Sequence, residues 1–184
     1  RHDVEFQGEV DLAPLAAMLP HLLRIRGDTT IMAGKLHLAG RHQPIAGGQS
    51  LSGMLRAAGL AATSAGRPLA WKEPVDATFE LRREQGNLRL ETLKCESEFL
   101  SIDAAGTAQQ LTANAKFDLN RLAAQLGQFV DLRSTELAGT GTAHIDWLQR
   151  DGDKFTLAAN SELSALRVAL GDNKAYAEPR LALQ

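Results

Sequence analysis

At 184 residues the chain is long enough for one large domain or two small ones, and for a proper core. Its 44% hydrophobic and 23% charged residues are ordinary for a soluble globular protein, and a formal charge of −2 gives no overall electrostatic basis for binding nucleic acid or an anionic membrane. Aromatic residues, at 5%, are too sparse for a base- or sugar-stacking platform, and the single cysteine, Cys95, excludes an internal disulfide.

No run approaches the roughly 18 apolar residues of a membrane-spanning helix, and no signal peptide is recognisable. Because the chain starts at Arg1, it is expected to be a piece of a longer polypeptide whose anchor lies elsewhere.

Residues 3–10 alternate, with Val4, Phe6, Gly8 and Val10 on one side and acidic or amide residues on the other. That is the pattern of a half-buried antiparallel strand. Asp11 follows at an N-cap position, then Leu12, Leu15, Leu19 and Leu22 at helical spacing, with Pro20 expected to end the short helix near Leu19. After a Gly27-Asp28 turn, residues 31–40 return to alternation. Residues 41–50, with Pro44 and Gly47-Gly48, read as a flexible connection, and 51–63 as a strand. Residues 75–82 and 88 onward form a hairpin around Gln85-Gly86-Asn87, and 98–106 and 109–117 are two further strands. A second helix, capped by Asp118, carries Leu119, Leu122, Leu126 and Phe129 or Val130 on its stripe. Strands at 136–148, 154–165 and 175–183 complete the chain, with turns at Asp151-Gly152-Asp153 and Gly171-Asp172-Asn173.

The two helical segments are near copies. The stretch from Asp11 to Ile25 recurs 107 residues later as Asp118 to Leu132, and in the same register Arg26 matches Arg133, Gly34 matches Gly141 and His37 matches His144. Trp71-Lys72-Glu73-Pro74 has its echo in Tyr176-Ala177-Glu178-Pro179. The expected fold is therefore α+β and β-dominated. Two tandem copies of a strand–short helix–antiparallel strands unit (residues 1–107 and a truncated 108–184, in one continuous domain) form a large curved antiparallel sheet, with both helices on its apolar face.

No chemistry-bearing constellation stands out. The histidines (His2, His21, His37, His42, His144) lack metal-ligand spacing, and Asp151-Gly152-Asp153 lacks the other ligands of a calcium loop. Gly139-Thr140-Gly141 lacks the lysine of a phosphate cradle, and Cys95 is expected to be an inert, buried strand thiol. Asp11 and Asp118 are explained as helix caps rather than paired catalytic carboxylates. Trp147 is assigned to the core, and Trp71 is the better candidate for exposure. No catalytic residue, metal or cofactor is expected.

One apolar side per strand leaves a hydrophobic sheet face to cover. Either the sheet closes over its helices, giving a structural or adhesion module that binds protein or glycan, or part of the face stays open as an apolar groove. The groove residues inferred are Leu15, Leu19, Leu122, Leu126, Phe129 and Trp147.

A strand feeding Asp-Leu-x-x-Leu-Ala-x-x-Leu (Asp11 to Leu19, Asp118 to Leu126), followed by long alternating strands, resembles the AsmA-like proteins of the bacterial envelope. That resemblance implies a periplasmic or cell-envelope location and a gutter of repeated β-sheet. It also implies a non-catalytic part in lipid transport or envelope assembly, with lipid or another envelope protein as partner.

Overall fold

The computed structural model describes residues 2–19, 24–132, 136–150, 155–170 and 174–183. Pro20, His21, Leu22, Arg133 and the two turns inferred at Asp151-Gly152-Asp153 and Gly171-Asp172-Asn173 lie outside those residues. The fold is β-dominated. Its strands are β1 (Val4–Asp11), β2 (Thr29–Ile45), β3 (Gly48–Ser64), β4 (Arg67–Ala70), β5 (Val75–Glu84), β6 (Asn87–Glu96), β7 (Leu100–Thr107), β8 (Gln110–Asp118), β9 (Glu136–Gln149), β10 (Phe155–Leu170) and β11 (Lys174–Leu183). Two helices, α1 (Leu12–Met18) and α2 (Leu119–Phe129), interrupt the strand series after β1 and β8.

All the strands belong to one antiparallel sheet in the order β1-β2-β3-β5-β6-β7-β8-β9-β10-β11, with β4 pairing the far half of β3. Short turns make that meander possible. Ala65-Gly66 and Gln85-Gly86 have positive φ at both central residues, so the turn twist matches that of the strands it joins. The segment 41–50 is not a flexible connection: β2 runs to Ile45, pairs directly with Gly48, and turns through Ala46-Gly47. Gly47, at φ +80°, adopts the left-handed conformation, and Pro44 is accommodated within the strand opposite Gln49.

Each helix leaves the sheet where a short strand ends beside a longer one. The last β1 pair is Asp11 with Lys35, and β2 continues past it to Thr29, providing the ledge on which α1 packs. Likewise β8 ends at Asp118 opposite Thr140, and α2 packs on the start of β9. Asp11 accepts a hydrogen bond from the Ala13 N–H and Asp118 one from the Arg121 N–H, both at 3.0 Å. These bonds satisfy donors that a helix start leaves orphaned.

Beyond each helix the strand pair carries a bulge. In β2–β3 the register shifts around Ala33, with Gly34 at φ +145° and Gly59 at φ +67°. In β9–β10 it shifts between Ser164 and Arg167, with Gly139 at φ +129° and Ala165 at φ +53°. The feature matching Gly34 is thus Gly139 rather than Gly141, because the second segment is two residues shorter between its Asp and the strand. His37 and His144 consequently occupy different rungs, opposite Glu9 and Arg56 and opposite Asn114 and Asn160 respectively. Trp71–Pro74 breaks the pairing between β4 and β5, whereas 176–179 runs inside β11.

Few residues are buried. Among the described residues only Ala16, Ala62 and Phe129 are buried apolar side chains. Arg26 donates its N–H to the Phe129 carbonyl at 3.1 Å, Asp131 donates to that of Arg24 at 3.0 Å, and Ile25 bridges Val130. Helix α2 crosses the β6–β7 turn, where Arg121 and Gln125 both reach the Glu98 carboxylate. The helices therefore pack at one end of the strands, and among the described residues nothing covers the broad faces. A compact monomer of 19.8 kDa exposes about 8,600 Å², whereas this chain exposes 12,473 Å².

Two substitutions check this account by chemical denaturation. Asp118→Ala, which removes the α2 cap, is expected to cost about 1 kcal/mol, with Asp118→Asn close to wild type. Ala165→Gly is expected to stabilise by roughly 0.5–1 kcal/mol, because a non-glycine residue is strained in the left-handed region.

Candidate functional site: an uncovered apolar sheet face

Directly opposed residues of an antiparallel sheet share a face, so the register sorts every strand position. One rung reads Phe6, Gly40, Gly53, Phe79, Leu93, Ala104, Ala113, Ile145 and Ala159 across nine strands. The next reads Gly8, Leu38, Leu55, Ala77, Cys95, Ile102, Ala115, Ala143, Ser161 and Leu183. Toward the turns the series continues with Leu51, Leu81, Leu90, Leu111, Trp147 and Leu157. Three adjacent rungs thus form an apolar surface roughly 40 Å by 20 Å. At about 800 Å² it exceeds the ~300–600 Å² of the largest patch on a typical monomer.

The face is smoothed rather than studded. The Phe6 ring lies over Gly40, Phe79 over Gly53 and Phe117 over Gly141; a Cβ on Gly53 would sit 2.6 Å from the Phe79 ring. Glycine on one strand therefore makes room for an aromatic ring from its neighbour. Nothing among the described residues covers these groups: Phe6, Leu38 and Ile145 are 39–40% exposed. Cys95 lies at the centre of the face, half-buried, and desolvation raises its thiol pKa above the ordinary 9.0.

The opposite face is polar and paired. Glu9 accepts from Lys35 and contacts His37, Arg41 reaches Asp3 at 2.6 Å, Arg56 reaches Asp76 at 3.3 Å, and Lys94 faces Asp103. A shallow depression of about 730 Å³ is lined by residues of both faces, with Phe6, Gly53 and Phe79 from the apolar side and Arg41, Thr78 and Glu80 from the polar side. His144 lies between Asn114 and Asp146, with contacts of 2.7 and 2.8 Å, and Thr112 donates to the same Asp146 at 2.8 Å. Both ring nitrogens already have neighbours, so no hydroxyl sits on the imidazole as a nucleophile would. Among the described residues no group of three or more His, Cys, Asp or Glu is placed to hold a metal. No helix among the described residues is long and apolar enough to cross a membrane.

The six groove residues inferred from sequence do not form one surface. Leu15 and Leu19 are exposed on and just after α1, while Leu122 and Leu126 are half-buried on α2. Phe129 is buried against Trp71, with ring centroids 6.1 Å apart, and Trp71 also packs edge-on against Phe99, so it is not the exposed aromatic expected. Trp147 lies toward the other end of β9, about 25 Å from the helix end of that strand, stacked on Phe155 with its indole N–H donating to the Ala108 carbonyl. The surface that does form is made by strand residues such as Leu38, Leu55, Phe79 and Ile145, each signalled by period-two alternation. No protein-family model, curated protein or solved structure matches this chain.

The paired polar face sets a pH dependence. Hydrogen bonds lower the pKa of several carboxylates: Gln43 and then Arg41 act on Asp3, Lys35 on Glu9, Thr112 and then His144 on Asp146, and the Arg121 amide on Asp118. A lowered folded-state pKa adds stability that is complete above the ordinary value, 3.8 for Asp and 4.5 for Glu, and lost as pH falls through the folded one. Lys35, raised by its bond to Glu9, adds stability that is complete below 10.5 and lost as pH rises through its folded value. Thermal melts should show a plateau between about pH 5 and 9, with Tm falling on both sides. In Glu9→Gln the alkaline fall should be shallower.

Proposed function

We propose that this chain is a non-catalytic sheet module of a larger cell-envelope protein, and that its uncovered apolar face carries lipid acyl chains. The observation behind this reading is the contrast between the two faces: a contiguous apolar surface nine strands wide on one side and matched ion pairs on the other. Domains are normally built from at least two packed layers, and here the second layer is missing from the described residues. A surface of that size is seldom idle. Lipid tails need no directional partner and would lie along the grooves between the strands' small and aromatic residues.

The parallel arrangement around Asp11 and Asp118 supports a duplicated unit. Each segment has an Asp-capped helix leaving beside a longer strand, followed by a bulged pair, with one loop shortened in the second copy. Resemblance to AsmA-like envelope proteins, in which such sheets form gutters, supports the periplasmic location and lipid or an envelope protein as partner. The alternative, a closed module that binds protein or glycan, has less behind it, because the sheet does not close and Trp71 packs against Phe99 and Phe129.

Cys95 provides a built-in reporter, being the chain's single cysteine and central to the face. Extracted protein should carry lipid detectable by native mass spectrometry. Phospholipid added to delipidated protein should slow maleimide labelling of Cys95 several-fold. Leu38→Asp with Leu55→Asp should abolish both effects while leaving the far-ultraviolet circular dichroism of the sheet unchanged. A lipid-free protein whose Cys95 labelling rate ignores phospholipid would end the proposal.

A further inference from the structure

We infer that the turn end of the apolar face binds the phosphate of an anionic glycerophospholipid at Arg83, which rests on the reading of that face as a lipid surface. The register places Arg83 opposite Gln49, two residues beyond Leu81 and four beyond Phe79, hence on the apolar side. Among the described residues, between the bulges and the turns, it is the one permanent cation on that side, and His42 is the only other basic group. Neighbouring arginines point the other way and are matched. Arg82 faces Glu80, Glu84 and Glu91 at 3.8–3.9 Å, and Arg89 lies 3.3 Å from Glu91. Among the described residues no carboxylate pairs with Arg83.

The surroundings of Arg83 suit an anion. It lines a depression of about 240 Å³ together with Gln49, Gln85 and the backbone of Gly47, Gly48 and Gly86. The Gln85 N–H donates to the Gly47 carbonyl at 3.4 Å and holds the two hairpin turns side by side. At Gly48 a Cβ would clash with the Arg83 carbonyl oxygen, so glycine is required where the two strands approach beside this hollow. A guanidinium with amide groups beside it is a forked donor set for a phosphate.

Charge complementarity decides the occupant. A neutral lipid or an apolar protein helix would leave the cation unused at the end of an otherwise uncharged surface. From Arg83 along β5 to Ala77 the face runs about 20 Å, against ~15 Å for the hydrocarbon of one membrane leaflet. A phosphate at Arg83 would therefore leave its acyl chains over Leu81, Phe79 and Ala77.

Fluorescent phosphatidylglycerol and the same fluorophore on diacylglycerol, titrated into the delipidated full chain, separate headgroup from tail. Wild type should prefer phosphatidylglycerol. Arg83→Glu should weaken that lipid roughly tenfold while changing diacylglycerol less than twofold, and Arg83→Lys should retain part of the preference. Equal binding of both lipids by wild type, or an equal loss of both in Arg83→Glu, would overturn the headgroup assignment and leave the apolar-face reading standing. Binding of neither lipid would end both. Saturable, Arg83-dependent binding of inorganic phosphate by a chain that ignores phosphatidylglycerol would make this a free-anion site and overturn the lipid.

Discussion

Everything in this structure follows from a sheet that is apolar on one side and, among the described residues, has no second layer against it. In a closed domain the second layer removes the inward side chains from water, and that burial offsets most of the entropy lost on folding. Here the cross-strand ladder is continuous from β1 to β11, yet three buried apolar residues are all that the described chain assembles. Within the described residues, stability comes instead from the ladder itself and from side-chain pairs across it. The excess of exposed surface over that of a compact monomer measures how much burial the chain leaves undone.

The helices serve the sheet without covering it. Each is short, begins at an aspartate that ends a strand, and packs on the ledge left by a longer neighbour. The end of α2 meets the chain that leads into β2, where Arg24–Arg26 pairs with Phe129–Asp131, and Trp71, Phe99 and Phe129 form the one compact aromatic cluster of the described residues. Because this cluster sits at the strand ends, it ties together the two halves of the chain and leaves the apolar rungs free. A helix long enough to lie across the sheet would have given a conventional two-layer core and no surface to offer.

The two faces also differ in how specific they are. Ion pairs on the polar side are matched rung by rung and exposed to solvent, so individually they contribute little, but they set which side of the sheet faces water. On the apolar side, glycines under phenylalanine rings level the surface, and Arg83 interrupts it beside two glycine-rich turns. In the proposed reading, a uniform surface suits a ligand without fixed shape, and the Arg83 cation at one end gives that ligand an orientation.

The sequence by itself determined a great deal. Period-two alternation located nearly every strand, because one-sided burial leaves its mark on each strand separately. The Asp-Leu repeat located both helix starts, because an N-cap is a local interaction. The same local view misread residues 41–50, where proline and glycine marked a two-residue turn inside a continuous hairpin rather than a loop. It also gathered Leu15, Leu122 and Trp147 into one groove, since nothing in a linear pattern reports that helix and strand end lie far apart. Only the tertiary structure decided the register, and with it the displacement of His144 from the rung matching His37, the alignment of nine strands' apolar positions into one surface, and the placing of Arg83 on it. Pairing between strands is a long-range choice, and a change of one residue would have turned the same side chains toward water.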